Sequence, residues 1–133
     1  MRSTIYKTVV LPAPPAELYE MYMDADTHGA FTGAPAKISE EPGSPFEAFG
    51  GLLKGTMLQT VKLMLIVQSW RSVNFADEDP DSTLIIAFSP VDDDGRIDLV
   101  HLDVPENDFQ GVSGGWESRY FEPWLTYLQS RES

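Results

Sequence analysis

With 133 residues and a net charge of −12, from 21 acidic against 9 basic side chains, the chain fits one domain, residues 1–133, whose field repels phosphate backbones and anionic bilayers; nucleic acid and membranes are therefore excluded as partners. No cysteine and only two histidines are present, so disulfides and thiolate metal sites are excluded, and neither a metal nor a cofactor is expected. No apolar run approaches the ~20 residues that span a bilayer, and the N-terminus lacks a signal-peptide core, so the chain reads as soluble and cytoplasmic.

Thr4 to Leu11 alternates Ile5, Val9 and Leu11 against Tyr6, Thr8 and Val10 and ends at a proline cluster, which predicts a first strand. Pro14 and Pro15 suit the first turn of a helix, and Ala16 to Met23 places Leu18, Tyr19 and Tyr22 on one face. A second short helical stretch is expected over Asp24 to Ala30, where His28 receives no role.

From Ala34 the period becomes two. Lys37–Ser39, Phe46–Phe49, Leu53–Thr60, Leu63–Arg71, Ser82–Ser89 and Arg96–Val104 read as strands, made antiparallel neighbours by short spacers. The acidic runs Asp77 to Asp81 and Asp92 to Asp94 fall in turns. They are solvated turns or calcium ligands, and no D-x-[DN]-x-[DN]-G loop with its distal Glu accompanies them.

Gly111 to Gln129 predicts a long helix. At 100° per residue, Pro123, Trp116, Tyr127, Tyr120, Trp124, Leu128, Phe121 and Leu125 fall on one apolar arc of roughly 200°. Pro123, in mid-helix, removes a donor to the Arg119 carbonyl and should bend the axis. The string of strand, two helices, six strands and long helix predicts an α+β helix-grip fold: a curved antiparallel sheet of six to seven strands around the C-terminal helix, with two short helices after strand 1.

Four motifs, in this order, carry a resemblance: Ala30-Phe31-Thr32-Gly33 with Ala34-Pro35-Ala36-Lys37-Ile38-Ser39; Phe49-Gly50-Gly51 with Gly55; Ile66-Val67-Gln68-Ser69-Trp70-Arg71; and Gly115-Trp116 with Arg119-Tyr120-Phe121-Glu122. Together they resemble the family of activators of the ninety-kilodalton heat-shock chaperone's ATPase, within the START-like (SRPBCC) superfamily. The resemblance implies a helix-grip domain with a cavity between sheet and helix, and a chaperone as a possible partner. Thr60-Val61-Lys62 stands where the family often has a Pro-Gly turn, and the chain is too short for the separate N-terminal domain of the eukaryotic co-chaperone.

The candidate cavity lining is Phe49, Gln68, Trp70, Phe88 and His101 from the sheet and Trp116, Tyr120 and Trp124 from the helix. The three helix aromatics either stack against a ligand or fill the core. His101 shares strand parity with Ile97 and Leu99, as either a hydrogen-bonded core histidine or a ligand-binding or general-base group. Gln68 would orient a ligand or bond to His101. No G-x-S-x-G motif, triad spacing or phosphate loop appears, so no catalytic residue is assigned.

Three functions follow, in order: a non-catalytic carrier of a lipid-like or aromatic apolar molecule, a chaperone-associated interaction module, and a cyclase- or hydrolase-type enzyme on the same fold. Either a monomer or a homodimer is compatible with the sequence.

Overall fold

Strict alternation of apolar side chains fixes which face of each strand turns inward, and the sheet follows from it. In the computed structural model, which describes residues 2–131, six antiparallel strands lie in the order β1-β6-β5-β4-β3-β2. They are β1 (Arg2–Leu11), β2 (Pro45–Ala48), β3 (Leu53–Val61), β4 (Leu65–Ser72), β5 (Ser82–Val91) and β6 (Asp94–Pro105). Ile66, Gln68 and Trp70 on β4, Leu84, Ile86 and Phe88 on β5, and Ile97, Leu99 and His101 on β6 are all buried. Register sets Gln68 opposite Leu84 and Leu84 opposite His101, so one polar row crosses the apolar face.

Two helices follow β1: α1 (Pro15–Met23), with proline in its first turn, and α2 (Ala25–Thr32). Asp24 caps α2 by accepting from the Thr27 amide at 3.1 Å and the Thr27 hydroxyl at 2.6 Å, and Gly33 ends it in the left-handed conformation at φ 81°. The C-terminal helix runs without a break as α3 (Phe109–Gly115), a π-helical stretch (Trp116–Phe121) and α4 (Glu122–Arg131). Among the described residues, no helix is long and apolar enough to cross a membrane.

The architecture is the expected α+β helix grip, with local differences. Lys37–Ser39 forms only an isolated bridge from Lys37 to Glu47, because prolines at 35 and 42 leave too short a span for a ladder. β4 begins at Leu65, since Lys62, Leu63 and Met64 make the turn, and Leu63 supplies the left-handed residue (φ 68°) that a glycine usually provides. The acidic run before β5 folds around Arg71, whose guanidinium donates to Asp81 Oδ1 at 2.7 Å and to the Asp79 and Ala76 carbonyls, each at 3.1 Å.

The helix departs from ideal geometry where the sequence says it must. Pro123 has no N–H and its ring crowds the carbonyl four residues back, so the preceding turn widens; the Glu122 amide reaches the Glu117 carbonyl, five residues back. Wider turns keep residues spaced by four on one side, and Trp116, Tyr120, Trp124 and Leu128 are all buried together with Phe121. Tyr127, Leu125 and Pro123 are only partly covered, so the buried stripe is narrower than an undistorted helix implies.

Trp124, 2% exposed, stacks on Phe31 with ring centroids 4.4 Å apart and planes 10° apart, and points its indole N–H at Met21 Sδ, 3.5 Å away. Trp124→Ala should therefore lower unfolding free energy by about 3 to 5 kcal/mol in urea titration, with cooperativity retained. Gly55 lies where β3 crosses closest to β4, and a Cβ there would fall inside contact distance of the Ser69 carbonyl oxygen. Gly55→Ala should cost about 1 to 3 kcal/mol by the same measurement, and a neutral result would mean that the strands part easily at this point.

Candidate functional site

The C-terminal helix is tied to the rest of the molecule by two side-chain donors one turn apart. Trp116 donates its indole N–H to His101 Nδ1 at 3.1 Å, and Tyr120 donates its hydroxyl to His28 Nε2 at 2.8 Å. The remaining nitrogens settle the tautomers. His101 carries its proton on Nε2 and gives it to Ser82 Oγ at 2.8 Å, while the Ser82 hydroxyl donates to the Trp70 carbonyl at 2.6 Å. His28 carries its proton on Nδ1 and gives it to the Tyr22 carbonyl at 2.8 Å.

Both imidazoles are fully buried and neutral. Burial pushes the His101 pKa down to about 3, and burial likewise takes His28 down to about 4. Burial also raises the Tyr120 hydroxyl well above its ordinary value. Neither imidazole keeps a free lone pair, so neither is placed to act as a general base.

Beside this network, between the π-helical stretch and the ends of β3 and β4, lies a half-open cleft of about 230 Å³. Phe49, Trp70, Trp116 and Tyr120 border it, with Val112 and Leu53 completing the apolar wall. Phe49 meets Tyr120 edge-on at 5.7 Å and holds a left-handed backbone, φ 54°, beside Gly50 and Gly51, both also at positive φ. The Trp70 indole N–H is buried with no acceptor among the described residues. Ser72, Asp108 and Arg119 supply the polar border: Ser72 donates to Asp108 Oδ2 at 2.7 Å, and the Arg119 guanidinium stands 5.9 Å over the Phe49 ring.

Four of the eight residues singled out from the sequence thus share the cleft, and four lie elsewhere. Phe88 packs edge-on to Tyr19 at 5.7 Å, and Trp124 is in the core on Phe31. His101 lies behind Trp70 and Trp116 in the hydrogen-bond network. Gln68 accepts from the Tyr22 hydroxyl at 2.9 Å rather than bonding to His101, and its Nε2 has no partner among the described residues. Sequence reasoning missed His28, Asp108, Ser72 and Arg119. No local signal marks His28, since its partner Tyr120 is 92 positions away; Asp108 sits immediately before a helix and reads as an ordinary cap.

Stability should fall as pH falls. The unfolded histidines protonate near their ordinary pKa of about 6.5, while the folded ones resist until about 4 and about 3. The stabilisation is therefore fully present above pH ~6.5, and each histidine removes about 1.4 kcal/mol per pH unit below it until its folded pKa is reached. Replacing His101→Gln keeps one acceptor and one donor, and should flatten the acid limb of the urea midpoint against pH; equal slopes in both proteins would contradict the assigned charge state. Tyr120→Phe strands the His28 Nε2 lone pair and should cost about 1 to 3 kcal/mol at neutral pH.

The family model described as Activator of Hsp90 ATPase homolog 1-like protein matches residues 12–123. Among curated relatives, the activator of 90 kDa heat shock protein ATPase homolog of Dictyostelium discoideum is 26% identical, covering 77% of this chain and 27% of that protein. The human activator homolog 1 is 26% identical, covering 81% and 32%. The chain therefore spans about a third or less of the length of these relatives. An HSP90 activator from Plasmodium falciparum has the same fold, with a TM-score of 0.87 at 21% identity over 95% of this chain and 96% of that one. The Aha1 dimer from Colwellia psychrerythraea is also similar, with a TM-score of 0.75 at 13% identity over 90% and 92%.

Proposed function

Because this chain belongs to the Activator of Hsp90 ATPase homolog 1-like family, we propose that it is a chaperone-associated interaction module acting on an ATPase of the Hsp90 class. The observation that carries the reading is the family match across residues 12–123, which spans every described element except β1 and all but the first two residues of α4. Two features of the molecule support it. The C-terminal helix packs on a cluster of rings in contact, with Phe31, Tyr22, His28, Tyr120 and Trp116 at centroid distances of 4.5 to 6.2 Å. The β3–β4 hairpin presents Leu58, Val61 and Met64 to solvent at 46%, 42% and 61% exposure, apolar surface of the kind a partner covers. A net charge of −12 favours a basic partner surface and fast, salt-sensitive association.

A second reading, a carrier of a small apolar molecule, is favoured by the cleft beside Trp70, Trp116 and Tyr120. At about 230 Å³ it lies below the usual range for drug-sized ligands, and its unpartnered indole N–H is a donor without an acceptor.

Adding the chain to a purified Hsp90-class chaperone should raise its rate of ATP hydrolysis and produce association measurable by calorimetry. Met64→Glu should weaken that association about tenfold and leave the thermal midpoint in place, since a residue at this exposure makes few contacts in the free chain. Unchanged hydrolysis with no association at about 100 μM chain would remove the reading.

A further inference from the structure

One end of the cleft has a polarity that its aromatic walls do not explain. Asp108 is 8% exposed, yet among the described residues its carboxylate accepts one hydrogen bond, from Ser72, and forms no ion pair. Although it immediately precedes α3, its side chain makes no capping bond to that helix. Ser72 has no further capacity to compensate it: its one hydroxyl proton is used on Asp108, and its oxygen accepts the Asn74 amide at 3.0 Å. The second carboxylate oxygen lies against Gly111, where a Cβ would sit 3.0 Å from Oδ1, so glycine permits this close approach. A carboxylate so withdrawn from water calls for a cationic donor.

The same cleft is lined by Trp70, Trp116 and Tyr120, whose ring faces attract cations as well as apolar groups. Arg119 borders the same cleft, but its side chain turns back beside Gly115 and its guanidinium is held 5.9 Å over the Phe49 ring, with no ion pair to Asp108 among the described residues. The buried carboxylate thus has no cationic partner among the described residues, inside a chain whose overall field also draws cations.

We infer that the cleft takes a small aryl-alkyl amine, with its ammonium on Asp108 and its ring against Trp70, Trp116 and Tyr120. This rests on the second reading above, that the cleft holds an apolar ligand, and adds the chemical class of that ligand. The volume of about 230 Å³ admits one ring and a short chain.

Three probes of one shape separate the possibilities: phenethylammonium, phenethyl alcohol and phenylacetate, titrated into the intact chain and followed by calorimetry and tryptophan emission. The ammonium should bind about tenfold more tightly than the alcohol, through a charge-assisted hydrogen bond. Asp108→Asn should abolish that preference, bringing the affinity for the ammonium down to that for the alcohol. Equal affinities in the unaltered chain would overturn the inference while leaving the apolar-ligand reading standing, and this comparison needs no variant to fold. Tightest binding of phenylacetate would overturn it in favour of Arg119 as the anchoring group. Failure of all three to bind would remove both the inference and the reading beneath it.

Discussion

Everything in the interior depends on the helix being held by two donors that have no alternative partner. Trp116 and Tyr120 project from adjacent turns and meet imidazoles carried on different elements, His101 on β6 and His28 on α2. Each imidazole accepts with one nitrogen and donates with the other, so the two are locked in opposite tautomers and both must stay neutral. A hydrogen bond of this kind adds only about 1 kcal/mol net, but leaving one of these buried groups unmade costs more. The pair therefore acts less as a source of stability than as a constraint: sliding or rotating the helix by one residue would strand two donors and two acceptors together. Apolar burial holds the helix against the sheet, and these bonds decide where along it.

The π-helical stretch is the backbone's answer to the same constraint. Trp116, Tyr120, Trp124 and Leu128 are spaced by four, which in an undistorted helix drifts around the axis by about 40° at each step. A wide turn takes up the excess residue and returns Trp124 to Phe31 while leaving Tyr120 on His28. Pro123 makes the wide turn cheap, because the bond it displaces could not form in any case. The residue that looks like a helix breaker is thus what lets one helix satisfy both partners.

How much of this could be read from the chain depended on the range of the signal. Alternation at 66, 68 and 70 and at 97, 99 and 101 fixed the inward faces correctly, because a strand's parity is a local property and a slip would expose the whole set. The helix, the short helices after β1 and the antiparallel order were legible for the same reason, as were the four aromatic residues that border the cleft. What failed to show was long-range and polar. The arc computed at 100° per residue ignored the wide turn that Pro123 induces, and so placed Trp124 at a cavity wall when it stacks in the core. His28 had no local pattern to mark it, and Gln68 found Tyr22 on α1 rather than His101 two strands away, a choice that depends on how a helix crosses the sheet. Turn residues misled in one place only: Leu63 took the conformation that a glycine would have announced.

The exceptions to local rules are not scattered evenly. Leu63 and Asp92 lie in hairpin turns, where left-handed residues are expected. Phe49, with its bulky side chain at φ 54°, the π-helical stretch, the Trp70 indole without an acceptor and the thinly compensated Asp108 all border one cleft. Strain and unsatisfied polarity persist only where surrounding structure over-determines them, and the histidine network directly behind Trp70 and Trp116 supplies that determination. Two exceptions lie away from that cleft, Asp103 on β6 with a left-handed backbone at φ 61° and the buried Gln68 Nε2 with no partner among the described residues, so the cleft gathers most of these features rather than all. The irregular cleft is thus backed directly by the hydrogen-bonded histidine network, which fixes the positions of the Trp116 and Tyr120 rings that border it.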